Sequence, residues 1–166
     1  MTIPVYWNHE KIHFKQLSAY VQCDQTVKEG VESSSDNYEY CICEQFCSSP
    51  VPHVSFVNGI STKDGGVHVD KLSQELFRIL GAKLSKLKVS AKELKPHFTL
   101  FVNATVINPE FSSQSKTYLV KAQSSLSLQI PNKVITNVLK WNFIKELEEW
   151  NKMKDIFFLK SLQVKL

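Results

Sequence analysis

Glycine is scarce: five occur in 166 residues, and three of them, Gly59, Gly65 and Gly66, fall within one stretch. No run approaches the ~18 to 20 consecutive apolar residues that a membrane-spanning helix needs. Met1, Thr2, Ile3 and Pro4 carry no basic segment ahead of an apolar one, so they do not read as a signal peptide. The four cysteines, Cys23, Cys41, Cys43 and Cys47, lack C-x-x-C spacing. With no secretory signal they are expected as reduced thiols of a nuclear or cytoplasmic protein. Cys41, Cys43 and Cys47 with His53 or His68 could be weighed as a zinc set. Strand alternation instead puts Cys41 and Cys43 on one face as small packing residues, and no metal site is expected. No Ser-His-Asp or Cys-His arrangement stands out, and Glu148 and Glu149 read as a solvated helix face.

What is present is an ordinary folded composition, 43% apolar and 22% charged, at a length that fits one domain. The net charge of +4 is unevenly spread. Residues 1–50 hold three lysines against seven acids, −4, and the remainder holds seventeen Lys or Arg against nine acids, +8. That skew suits an anionic partner such as nucleic acid or nucleotide, and equally a soluble domain with a mild dipole.

Residues 54–70 punctuate the chain. Val54, Ser55, Phe56 and Val57 read as a strand that breaks at Asn58-Gly59, breaks again at Asp64-Gly65-Gly66, then opens a helix. The glycines match neither G-x-G-x-x-G nor G-x-x-x-x-G-K-[ST]. Around this stretch, Val5, Tyr6 and Trp7 should pair with residues 11–14 as a hairpin, and 16–21 should form a short helix or turn. Residues 28–37 read as a polar loop, 38–46 as a strand, and 53–58 as the next strand, the last two joined as an antiparallel meander.

Leu72, Leu76, Ile79 and Leu80 have helical spacing, predicting a helix from 67–70 to Gly81 or Leu84. Ser90 and Glu93 have capping-box spacing ahead of Pro96. Residues 98–106 read as a strand stopped by Asn108-Pro109, 110–117 as a polar loop, 127–130 as a brief strand, and 131–153 as a continuous helical pattern. Trp141 and Trp150 are read as core or partner-packing residues. The apolar tail, residues 156–159, is open between helix and strand. The sum is a two-layer α+β sandwich, a mixed or antiparallel sheet of three to five strands with two main helices on one face.

Three ordered motifs then become legible. Residues 54–70 resemble the start of the transducer core in type IIA DNA topoisomerases of the eukaryotic or viral kind. Phe101-Val102-Asn103-Ala104, Asn108-Pro109, Phe111, Ser113-Gln114-Ser115-Lys116 resembles the family's FVNA…NPxFxSQTK, with Ser115 where the family has Thr. Val5-Tyr6-Trp7-Asn8 with Lys11, Ile12, Phe14 and Tyr20 resembles the opening of the same domain, and residues 138–141 resemble its exit helix. The resemblance spans nearly the whole chain. It implies the ribosomal-protein-like second domain of GHKL ATPases, one transducer domain over 1–166, with a core at about 5–130 and an exit helix at about 131–153.

The resemblance also implies a role: coupling ATP binding and hydrolysis in a neighbouring GHKL domain to N-gate closure and DNA strand passage. Gln114 and Lys116 would then touch the γ-phosphate of ATP, held with Mg²⁺ mainly by that other domain. A lysine ammonium is a compact charge suited to phosphate oxygens. From the loop alone, Lys116 could equally be a solvated side chain. Lys83, Lys86, Lys88, Lys92 and Lys95, which with Glu93 sum to +4, would face double-stranded DNA, or form a solvated surface. The implied partners are the ATPase domain and DNA-cleavage core of the same enzyme, in a homodimer, with no membrane. The chain alone should carry no catalytic residue. The rival reading is a stand-alone interaction module that keeps the fold without an ATPase partner.

Overall fold

A computed structural model describes residues 5–7, 10–12, 17, 21, 27–35, 37–45, 53–87, 89–122 and 128–163. Strands β1 (Val5–Trp7) and β2 (Glu10–Ile12) form an antiparallel hairpin with Tyr6 opposite Lys11. The main sheet is built from β3 (Val27–Ser35), β4 (Tyr38–Gln45), β5 (His53–Val57), β6 (Ile60–Ser61) and β8 (Phe98–Ala104) in the order β3-β4-β8-β5-β6. A second, three-stranded sheet has the order β7-β10-β9, from Gly65–Gly66, Tyr118–Lys121 and Glu110–Phe111. The helices are α1 (Val67–Lys83), α2 (Ala91–Leu94), α3 (Asn132–Val138) and α4 (Asn142–Gln163). This is the expected α+β architecture with a mixed sheet.

The expected β4–β5 meander is corrected. β8 lies between them, antiparallel to β4 (Ile42 opposite Leu100) and parallel to β5 (Ser55 opposite Val102). Alternation along β4 and β5 fixes which side chains face inward but not which strand they meet. Asn58 secures the parallel pair. Its backbone N–H donates to the Ala104 carbonyl at 2.9 Å, its side-chain amide donates to the Val106 carbonyl at 2.9 Å, and its amide oxygen accepts from the Val106 N–H at 2.9 Å. The side chain thus extends the ladder where the backbone turns, with Asn58 itself at φ +50°.

Four other local expectations change. Residues 28–37, read as a loop, contribute most of β3. Its polarity is that of an edge strand whose Glu32, Ser34 and Ser35 meet solvent. Within the predicted loop 110–117, Glu110 and Phe111 pair with β10. Residues 128–130 form no strand. The predicted helix over 131–153 is two helices, broken at 139–141, and the second runs on to Gln163. Trp141, buried at the break, packs its ring 5.7 Å from Phe98 and 6.4 Å from Phe143. The segment between β4 and β5, residues 46–52, and the end of the first hairpin, residues 13 and 14, lie outside the described residues.

α1 covers one face of the sheet. Leu72, Leu76 and Leu80, one per turn, are wholly buried among Ile42, Leu100 and Val102, each burial worth about 1.5–3 kcal/mol. The other face carries Cys41, Cys43 and Phe101, with Leu17 and Val21 against them. The two sulfurs are buried 3.5 Å apart and serve as packing. Cys23 and Cys47 lie outside the described residues.

Candidate functional site

The site is the hairpin tip between β9 and β10. Asn108, at φ +48°, and Pro109 turn the chain out of β8. The Ser112 N–H donates to the Tyr118 carbonyl at 3.0 Å and closes the hairpin. Inside it, the Lys116 N–H donates to the Ser113 carbonyl at 3.0 Å, and the Ser113 and Ser115 hydroxyls are 2.6 Å apart. This tight turn drives Lys116 to φ +58°, left-handed backbone that costs a non-glycine residue about 1–2 kcal/mol. Gln114 and Lys116 are both exposed, and the ammonium stands 6.0 Å from the centre of the Phe111 ring. The structure therefore brings the two predicted residues together on one protruding turn, where an amide NH₂ and an ammonium are available as donors.

The base of the hairpin is fixed by residues 64–66. The Asp64 N–H donates to the Thr117 carbonyl at 3.0 Å. Gly65 and Gly66 pair in parallel with Tyr118 and Leu119. A Cβ on Gly66 would lie 2.4 Å from the Leu119 carbonyl oxygen and 2.6 Å from its nitrogen, so only glycine allows this approach. Leu119 is wholly buried, and α1 begins at the next residue after the glycines, Val67. The sequence marks the two glycines as a turn but not their partner, because pairing fifty residues away leaves no local signature. Their adjacency immediately before a helix is the available signal.

A buried polar chain lies beneath. The Ser55 hydroxyl donates to the Thr62 carbonyl at 2.8 Å, the Ser55 and Thr62 hydroxyls are 2.6 Å apart, and Thr62 Oγ1 is 3.1 Å from His68 Nε2. Since Ser55 spends its proton on the carbonyl, Thr62 donates to Ser55 and must accept from His68, which places the imidazole proton on Nε2. His68 Nδ1 is buried without a partner. The His68 carbonyl accepts from the Tyr38 hydroxyl at 2.5 Å, and burial, with Tyr40 adding, pushes that hydroxyl above its ordinary pKa. His68 thus ties the start of α1 to the sheet.

Burial, and after it the neighbouring His53, lowers the His68 pKa to about 4. The folded state thus binds a proton less readily than the unfolded chain, whose histidine titrates near 6.5. Stability should be full above pH 6.5 and fall as pH drops toward 4, by up to about 3 kcal/mol. Urea unfolding of the chain at pH 7.5, 6 and 5 measures this, and a flat profile would contradict the assignment.

The lysine set is only partly gathered. Lys83 closes α1, Lys92 lies in α2, and Lys95 follows it with its ammonium 5.9 Å from the Phe77 ring; all three are exposed. Lys88 and the side chain of Lys86 lie outside the described residues. Leu84 is buried and Leu87 packs on the core, so the lysines are carried by a folded turn. Glu93 accepts from the Ser90 N–H at 2.7 Å and its hydroxyl at 2.9 Å, completing the expected capping box. Among the described residues, no group of three or more His, Cys, Asp or Glu could hold a metal ion, and no helix is long and apolar enough to cross a membrane.

The α+β fold belongs to a class of protein: the transducer-like domain of type IIA topoisomerases. The ATPase region of Saccharomyces cerevisiae topoisomerase II superposes with a TM-score of 0.77 over 90% of this chain and 40% of that chain, at 23% identity, a likeness of fold. The ATPase and transducer domains of DNA topoisomerase II from Balamuthia mandrillaris give a TM-score of 0.72 over 92% of this chain and 40% of that one, at 25% identity. A family model described as DNA gyrase B matches residues 6–162, and the chain belongs to that family. It is 33% identical to the DNA topoisomerase 2 of Invertebrate iridescent virus 6 over 98% of this chain, and 33% identical to that of Pisum sativum over 76% of it. It spans only 16% and 9% of those two proteins.

Proposed function

We propose that residues 1–166 act as the transducer of an ATP-dependent type IIA DNA topoisomerase, coupling nucleotide state in a neighbouring GHKL-type ATPase domain to gate closure and strand passage. Lys116 and Gln114 contact the terminal phosphate of ATP, which that other domain holds with Mg²⁺. The carrying observation is the exposed, left-handed Lys116 beside Gln114, on a hairpin whose base is bonded to the backbone directly ahead of α1.

The residues present fit one side of a phosphate and no more of a nucleotide. In the bound state the ammonium and amide donate to phosphate oxygens, and the ammonium offsets charge that spreads over the phosphoryl group during transfer. When that group leaves, the tip loses its anionic partner. A rotation of the domain then follows the differential contact, since a ligand shifts an equilibrium only by what it binds differently in the two states. The test is ATP turnover by Lys116→Ala in the complete enzyme.

The enzyme's other partners follow from the same reading: its DNA-cleavage core, a second enzyme subunit, and double-stranded DNA in the nucleus or cytoplasm of the cell. Lys83, Lys92 and Lys95, and by the same reading Lys86 and Lys88, would face that DNA. They would bind phosphates, independently of sequence. Changing Lys83, Lys92 and Lys95 together to glutamine should lower DNA-stimulated ATPase activity. It should also flatten the log–log salt slope of DNA binding by about 0.9 for each phosphate left without its lysine. An unchanged slope would return these residues to a solvated surface.

A further inference from the structure

Lys116 is constrained at both ends. Its left-handed backbone, at φ +58°, sets where the side chain leaves the turn. Its far end meets an aromatic ring, with the ammonium 6.0 Å from the centre of Phe111. Phe111 is the last residue of β9 and stands next to the hairpin tip, its neighbour across the pair being the wholly buried Leu119. It is half-buried and packed against the main core, so the ring is anchored to the body of the domain. The tight turn closed by the Lys116 N–H and the Ser113 carbonyl carries the chain back from one residue to the other.

An aliphatic side chain at this position would cover the core as well. What a phenyl ring adds is a negative face, which attracts a cation within about 6 Å of its centre. Among the described residues no carboxylate lies within ion-pair distance of Lys116, so no anion there competes with the ring for the charge. A carboxylate would hold the ammonium against an arriving phosphate, whereas a ring holds it weakly. An ammonium also carries three donors. One side can rest toward the ring while the rest stay available to phosphate oxygens. The contact narrows the conformations of a flexible four-carbon stem that would otherwise sample solvent freely.

We propose that Phe111 is a positioning residue for Lys116, its ring face preorganising the ammonium for the terminal phosphate before nucleotide arrives. The inference rests on the phosphate reading of Lys116 and deepens it. Phe111 itself touches no substrate and acts only through the lysine. The attraction between ammonium and phosphoryl group grows as charge spreads during transfer, so holding the ammonium in place bears more on kcat than on KM. A cation–π contact at an exposed site is worth roughly two- to fivefold in rate.

The test is steady-state ATP turnover by the complete enzyme with Phe111 replaced in turn by mono-, di- and trifluorophenylalanine. Fluorine drains the negative face and nearly preserves the shape of the ring, so the urea midpoint should hold. Along the series kcat should fall stepwise, ending roughly two- to fivefold below native, while KM moves less. Phe111→Leu, apolar but without a face, should match the trifluoro ring, and Phe111→Tyr, which keeps the face, should stay near native. On the residual activity of Lys116→Ala the fluorinated series should be flat. A flat series with Lys116 in place, while Lys116→Ala remains inactive, would overturn the positioning role and leave the phosphate reading standing. A series that falls equally with and without Lys116 would assign the effect to packing and overturn it too. Native turnover by Lys116→Ala would remove both readings together.

Discussion

Replacing Lys116 with alanine in the complete enzyme is expected to lower ATP turnover by roughly 10²–10³-fold, the loss typical of a single preorganised donor aimed at developing charge. Lys116→Arg should retain part of the activity, since it keeps the charge but spreads it over a planar fork. Lys116→Gly separates chemistry from folding. Glycine tolerates φ +58° without strain, so this variant should be as stable as the native chain or more so by about 1 kcal/mol, while as inactive as the alanine variant. Turnover by Lys116→Ala equal to that of the native enzyme would remove the phosphate role.

Gly66→Ala is expected to destabilise the chain by about 3 kcal/mol or more, the range of overpacking combined with backbone strain. Its new methyl would meet backbone, with Leu119 oxygen at 2.4 Å and nitrogen at 2.6 Å, at φ +136°. Backbone cannot swing aside as a flexible side chain does, so β7 and β10 must part. Gly59 is the control. It sits at φ +77° in a turn with nothing within 4 Å of its Cβ position, and Gly59→Ala should cost only about 1 kcal/mol. Urea unfolding of the two variants decides it: if Gly66→Ala costs no more than Gly59→Ala, the close approach is not what holds the hairpin base.

Where the sequence carries a local rule, it is readable. The i, i+4, i+8 leucines of α1 are wholly buried, and the Ser90 and Glu93 capping box forms as spaced. Cys41 and Cys43 share a buried face, as strand alternation requires. Gln114 and Lys116 are neighbours in one short motif, so a single turn carries both.

What the sequence hides depends on distant partners. β3 looks like a loop because Glu32, Ser34 and Ser35 are polar, and polarity at an edge strand is indistinguishable from polarity in a loop until its neighbour is known. The break at 139–141 is hidden because Trp141 keeps helical spacing with Val138 and Ile144 while filling the corner against Phe98. The Ser55–Thr62–His68 chain could not be foreseen, since its members meet only when the turn at Asn58-Gly59 folds β6 back on β5.

The central position of β8 has a consequence for how the chain is made. Synthesis runs from the N-terminus at about 5–20 residues per second, so β4 and β5 leave the ribosome before the strand that joins them. About 40 residues separate the end of β5 from the start of β8, a long gap for nascent strands to wait across. Until Ala104 has emerged, both strands carry an edge that only β8 can fill, and such edges invite pairing with other chains. The five-stranded sheet can therefore close only after β8 has been made. A nascent chain stalled before that point is the form most in need of a chaperone.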